Sequence, residues 1–458
     1  MTTVQAGDIG AQIHPYTNLS VHQDVGPMVI SRGEGCYVYD DKGNRYLEGL
    51  AGLFCASLGF SNQRLADAAD RQMRQLPFYH AFGGKATEPS VRLAEQLLAM
   101  APVPMSKVFF ANSGSEANDT AIKIVWYYNN ALGRPEKKKI ISRQRAYHGV
   151  TIATASLTGL PNNHRDFDLP IDRILHTDCP LHYRYAEPGE SEEAFATRCA
   201  ESLERLIQEE GPGTIAAFIA EPLMASGGVI VPPPTYYEKI QAVLRRHDIL
   251  LIVDEVICGF GRTGNMFGTE TFGLQPAIMT MAKQLSSGYL PISAVMVNDD
   301  IYRAMVAQSR KIGTFGHGFT YSGHPVCAAV ALETLKIYED ERIIDHVRRI
   351  MPQFQRRVAE LGDHPLVGNA RGMGLIGAAE LVADKKTKAP FPITAGVAAY
   401  AGQCAMAHGV LTRALGDNVN LCPPLIIEPA QIDYLFDGIR AALDDTLAWT
   451  ERTGLRAQ

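Results

Sequence analysis

Two residues carry the first chemical argument: Lys283, which closes the apolar run 277–282, and Asp254, which closes a second run, 249–253. A charged group at the end of a buried strand is costly without a partner, so each calls for an explanation. A lysine can form an imine with an aldehyde, and a carboxylate can hold a pyridine nitrogen protonated. These are the two groups that pyridoxal-phosphate chemistry most needs, so a bound cofactor would account for both at once.

The elements that must position them are legible as alternating patterns. Short apolar runs at 107–111, 139–142, 174–177, 215–220, 249–253, 277–282 and 292–297 are separated by amphipathic stretches, of which 194–208 and 236–247 read as helices. This predicts an α/β protein with a mostly parallel central sheet covered on both faces. Ligands of such sheets sit beyond the carboxyl ends of the strands. That rule alone selects 112–118, Tyr147, Glu221, Asp254 and Lys283, from five different strands. The segment before Cys55 reads as short strands and turns, and 325–361 as one long helical pattern. The expected organisation is a large domain over 56–330, with 1–55 and 331–458 combining into a smaller α/β domain.

Composition narrows the function classes. The chain has 458 residues, 46% of them hydrophobic, enough for a large core. A formal net charge of -6 gives no attraction to nucleic acid or an anionic membrane, and the Lys137-Lys138-Lys139 run reads as a solvated turn. Eight cysteines without a Cys-x-x-Cys pair suggest neither a disulfide framework nor a metal site, and they are expected to be reduced. No apolar run is long enough to span a bilayer, and 1–15 lacks a signal-peptide pattern, so the cytoplasm is the expected compartment.

Other motifs have a chemical and a bland reading. Ser113-Gly114-Ser115-Glu116-Ala117-Asn118 follows a strand and opens a helix, so its free N–H groups suit a phosphate, while Ser113 or Ser115 would also serve as an ordinary cap. Gly259-Phe260-Gly261-Arg262-Thr263-Gly264 matches a dinucleotide fingerprint formally, but an apolar strand occupies the region where the ribose-binding acid belongs. Tyr147 could stack on a planar ring or be a core aromatic; its neighbour His148, as a lone histidine, is not assigned proton transfer. Arg413 could clamp a carboxylate or form a surface ion pair. The glycine-rich stretch 313–323 could wrap a ligand or a partner subunit, or be a plain loop.

Together these residues resemble the class III aminotransferases, especially the ω-amine:pyruvate branch. The resemblance runs from His14-Pro15-Tyr16 to Asn420-Leu421-Cys422-Pro423-Pro424, and its most specific pieces are 112–117, 254–264 and Ala282-Lys283. It implies the fold of type I pyridoxal-phosphate enzymes and a homodimer with shared active sites, possibly paired into a tetramer. By the same resemblance, Lys283 is the imine-forming lysine and proton shuttle, and Asp254 pairs with the pyridine nitrogen. Gly114 and Ser115 hold the phosphate, Tyr147 and Val256 cover the two ring faces, Glu221 lies beside the ring, and Ser113 and His148 are further cofactor-binding residues. Thr320 reaches the phosphate of the neighbouring subunit's cofactor, and Phe319 is a further cofactor-binding residue. Arg413 is the mobile arginine that pairs with a keto-acid carboxylate.

The reaction implied is ping-pong transfer from a primary amine or ω-amino acid to pyruvate, giving alanine by way of pyridoxamine phosphate. Aminomutases, racemases and decarboxylases share the scaffold, and a non-catalytic cofactor-binding protein is a further alternative. Tyr16, Phe54, Phe82, Tyr147, Met224 and Ala225 are the expected pocket walls. Four features depart from the family pattern: Gln284 for glycine, Met224 for a polar residue, Phe54 for tryptophan, and Gly83-Gly84 after Phe82. The last two predict a site that admits long or bulky amines.

Overall fold

Seven short strands form the platform of the computed structural model, which describes residues 2–456. In chain order they are β1 (Lys107–Ala111), β2 (Lys139–Arg143), β3 (Ile174–Thr177), β4 (Ile215–Ala220), β5 (Leu250–Asp254), β6 (Ile278–Met281) and β7 (Ser293–Val297). Across the sheet the order is β1-β7-β6-β5-β4-β2-β3. Every residue of β4 and of β6 is buried, as expected where both faces are covered and side chains of either parity meet a core. Helices Glu192–Glu210 and Tyr236–Arg246 cover one face through Phe195, Leu203, Tyr236 and Leu244. Helix Gly114–Ala131 covers the other through Ala117, Ala121, Ile124 and Val125. Only β7 breaks the parallel arrangement, pairing antiparallel with both β1 and β6.

Two four-stranded sheets flank this platform. In one, Ile30–Glu34, Tyr37–Asp40 and Arg45–Glu48 form a meander whose last strand pairs in parallel with Val410–Leu411, so distant parts of the chain are joined by backbone hydrogen bonds. The other contains Val367–Met373, Ile376–Leu381, Arg413–Leu415 and Asn418–Leu421.

Three expectations need correction. The early segment is not only strands, because Thr3–Ala11 and Leu19–Val25 are helices. Thr2 closes a capping box with Gln5 and Asn18 caps the second helix, but the first buries no residue, so no apolar period announces it. The pattern 325–361 is two helices, Pro325–Asp340 and Ile343–Leu361, broken where Arg342 takes a left-handed φ of 50°. Leu335, Tyr338, Ile343 and Val347 all enter one core, so the apolar period runs on across the break. Finally, Lys137 is not solvated: its ammonium donates to the carbonyls of His247 and Asp248, and Lys139 opens β2 with an ion pair to Glu210. Lying directly before a buried strand, the run inherits that strand's surroundings. Among the described residues, no helix is long and apolar enough to cross a membrane.

Candidate active site

The carboxyl ends of the strands meet at a cavity of about 90 Å³ lined by Gly114, Ser115, Asn118, Tyr147, His148, Gly149, Glu221, Asp254, Val256, Ile257 and Lys283. Asp254 is the last residue of β5, and Glu221 directly follows β4. Lys283 sits two residues beyond β6 in a 3-10 turn, with a left-handed φ of 45°. A lysine held there is strained, and strain of this kind persists only where the surroundings enforce it. Gln284, fully buried, does so: its amide donates to the carbonyls of Ile257 and Gly259 and accepts from Arg262, tying the lysine turn to the glycine-rich loop. Arg262 in turn donates to the carbonyls of Leu375 and Pro423. The glycines of 259–264 thus close around a buried structural arginine.

Asp254 is held by three donors. The Nδ2 of Asn118 and Nδ1 of His148 each lie 2.8 Å from its Oδ2, and the Val256 N–H lies 3.0 Å from Oδ1. Asn118 is itself oriented, because its Oδ1 accepts from Thr280 and its Nδ2 also reaches the His148 carbonyl. His148 therefore orients a carboxylate, and its Nε2 is buried without a partner among the described residues. Glu221 accepts from the backbone N–H of Tyr147 and of Ala225, and burial pushes its carboxyl pKa up. Burial lowers the Lys283 pKa, opposed by the attraction of Asp254. A neutral, nucleophilic amine is thereby favoured.

The rim of the cavity suits an anion. Helix Gly114–Ala131 points its first turn there, capped by Ser113, whose hydroxyl accepts from the Glu116 N–H. Ser113 is therefore a capping residue and not part of the lining, while Gly114 and Ser115 are. A Cβ on Gly149, whose φ is +139°, would come within 2.5 Å of the hydroxyls of Ser115 and Thr154, so only glycine permits this approach.

Other expected site residues fall outside the cavity. Met224 is fully buried, bridged to Ile230 and packed with Ala146, Cys179 and Leu181, so it is core and not pocket wall. Ala225 and Phe54 are likewise enclosed, in an apolar cluster with Leu50, Leu223 and Val256. Phe82 lies on a separate hollow lined by Phe109, Phe315 and His317, the last two from the glycine-rich stretch. Phe319 packs edge-on against Phe109, and Thr320 is exposed. Tyr16 and Arg413 stand together, the guanidinium 5.6 Å from the ring centroid, and both bear on the Tyr147 hydroxyl, whose pKa is raised by burial and by Tyr16 and opposed by Arg413. Asn118 lay within the run selected from the sequence, but its bond to Asp254 did not follow from it. The available signal was its position four residues after Gly114, on the same helix face.

A buried amine, a fixed carboxylate lining the same cavity and a helix N-terminus for an anionic group fit pyridoxal 5'-phosphate. Comparison with known proteins agrees. The chain is 53% identical over 433 residues to a chloroplastic gamma aminobutyrate transaminase 3 of Solanum lycopersicum, covering 94% of this chain and 83% of that one. It superposes with a TM-score of 0.96 on the omega transaminase from Pseudomonas jessenii solved in complex with PMP, at 57% identity and covering 98% and 99% of the two chains. A transaminase solved with L-ala gives a TM-score of 0.91 at 58% identity, covering 92% of this chain and 100% of that one. The family model for aminotransferase class-III matches residues 19–443. With the model spanning nearly the whole chain and the cavity residues all inside that span, this protein belongs to the class-III aminotransferases, enzymes that use pyridoxal 5'-phosphate.

Proposed function

We propose that the protein moves the amino group of a primary amine or ω-amino acid to pyruvate, giving alanine in a ping-pong cycle. The observation that carries this reading is that Lys283 and Asp254 line one cavity, with Arg413 close enough to bear on the Tyr147 hydroxyl. When bound, the cofactor supplies an electron sink that acidifies the Cα–H of the amine condensed with it. Lys283 removes that proton as a base and returns it as an acid, a role suited to a lowered pKa. Asp254, fixed by Asn118 and His148, holds the ring nitrogen's proton and so maintains the sink. Gly114 and Ser115 would hold the phosphate, and Tyr147 and Val256 would orient the ring.

Pyruvate as acceptor is supported by Arg413, whose forked donors match a carboxylate, and by the related transaminase solved with L-ala, the amino acid pyruvate would become. One site must take both a carboxylate and an uncharged amine substituent. A fixed, buried, unpaired guanidinium would cost about 3–5 kcal/mol in the second case, so the arginine must move.

A homodimer belongs to the same proposal. Phe78, Tyr79, Phe82 and Tyr321 are exposed aromatics grouped near the glycine-rich stretch, and a second copy covering them would bring Phe319 and Thr320 to a neighbouring site. The division into 56–330 and a joint 1–55 with 331–458 is supported by the pairing of Arg45–Glu48 with Val410–Leu411. A cytoplasmic location is supported by eight cysteines that are all free thiols, against relatives whose names place them in chloroplasts or mitochondria.

The test is stoichiometric alanine from pyruvate and a panel of short and bulky amines. An aminomutase, racemase or decarboxylase would leave none. In Arg413→Ala, keto-acid use is expected to fall about tenfold more than amine use; equal losses in both half-reactions count against the assignment.

A further inference from the structure

Tyr16 is held in a conformation it would not choose. Its φ of 51° lies in the left-handed region, uncommon and strained for a bulky side chain. Two sets of contacts hold it there. Two residues upstream, His14 Nε2 donates to Asp8 at 2.8 Å, and His22 Nε2 donates to the other oxygen of the same carboxylate at 2.9 Å, knotting the chain on either side of Tyr16. The buried Asn163 donates from Nδ2 to the Tyr16 hydroxyl at 2.5 Å. The Tyr16 hydroxyl also helps to raise the pKa of the Tyr147 hydroxyl in the cofactor cavity. The guanidinium of Arg413 lies over the Tyr16 ring, 5.6 Å from its centroid. Among the described residues Arg413 makes no ion pair, so the ring is the group that receives its charge.

We propose that Tyr16 is the parking place of Arg413: an aromatic face, tethered by Asn163 and by the Asp8–His14–His22 knot, that competes with the substrate carboxylate for the arginine. This rests on the transaminase reading above and adds what holds the arginine when no carboxylate is bound. A cation over an aromatic face is attracted weakly enough to be displaced by a bidentate carboxylate, yet strongly enough to give the charge a partner when no carboxylate is bound. Tyr16 and Asn163 are accordingly specificity-determining residues that act through Arg413.

The consequence is a split that a merely structural role does not produce. In holoenzyme carrying Tyr16→Ala, the released arginine should bind a carboxylate more tightly and obstruct an apolar amine. The dissociation constant of propionate, titrated through the cofactor's absorbance, is expected to fall about threefold, and the KM for hexylamine to rise by about the same factor. Tyr16→Phe and Asn163→Ala keep the ring but loosen its tether, so they should shift both constants in the same directions by less. In an Arg413→Ala background, Tyr16→Ala should leave the propionate constant unchanged. Both constants rising together, neither moving, or a Tyr16 effect that survives without Arg413 overturns the proposal. Failure of the wild-type enzyme to make alanine from pyruvate would remove pyruvate as acceptor, while the propionate titration would still decide whether Tyr16 and Arg413 are coupled.

Discussion

Asp254 and Glu255 are consecutive, both are buried carboxylates, and each accepts hydrogen bonds from three donors, yet they belong to different parts of the molecule. Asp254 faces the cavity and is oriented by Asn118 from the helix Gly114–Ala131 and by His148 from the loop after β2. Glu255 points away from it into a sealed region, where it accepts from the Gly268 N–H and from both the N–H and the hydroxyl of Thr269. Burial pushes the Glu255 carboxyl up to about 7. Neither burial nor the number of donors therefore marks the reacting carboxylate. What distinguishes it is an open side shared with the Lys283 amine.

The sharpest way to break this comparison is to remove the cavity's own groups. Lys283→Ala should abolish proton transfer, with a loss of about a thousandfold or more in each half-reaction measured by single-turnover absorbance. Asp254→Asn should slow deprotonation about a hundredfold or more while the holoenzyme still retains cofactor. Asn118→Ala, which leaves Asp254 one donor short, should cost about tenfold in kcat. On the other side of the chain, Glu255→Gln should leave kcat within about threefold but destabilise folding by about 1–3 kcal/mol, read as a lowered Tm, because an amide cannot accept from all three donors. If Asp254→Asn left the enzyme as active as the wild type, or if Glu255→Gln damaged turnover as much as Asp254→Asn does, the distinction would be erased.

The smallest effect concerns pH. The Glu255 carboxyl is raised to about 7 from an ordinary value near 4.5, and Glu48 likewise. Between those values the folded state binds more protons than the unfolded one, so their contribution to stability is full below about 4.5 and is lost as pH rises through about 7. Tm should fall over that window, and Glu255→Gln should flatten the slope without changing the pH dependence of the half-reactions.

The strands and the residues at their ends were legible because a strand buried on both faces reads as an uninterrupted apolar run, and such runs are rare enough to locate Glu221, Asp254 and Lys283. Helix breaks were not, since Arg342 interrupts an apolar period that both flanking helices continue. Met224 was misjudged as pocket wall because position after Glu221-Pro222 does not reveal which way a side chain turns. Phe82, Phe319 and Thr320 were assigned from family resemblance, and within a single chain they lie elsewhere.

The sequence alone determined the chemical inventory of this protein: an amine and an acid closing two apolar runs, a capped helix of small residues, and a forked cation near the end of the chain. Local composition dictates these, because strand, cap and turn are set by neighbours in the chain. Only the tertiary structure decided which groups meet. Asn118 reaches Asp254 across 136 positions and Asn163 reaches Tyr16 across 147. Such pairings depend on strand order and on the paths of connecting loops, which are fixed by the packing of the whole core and not by any window of residues.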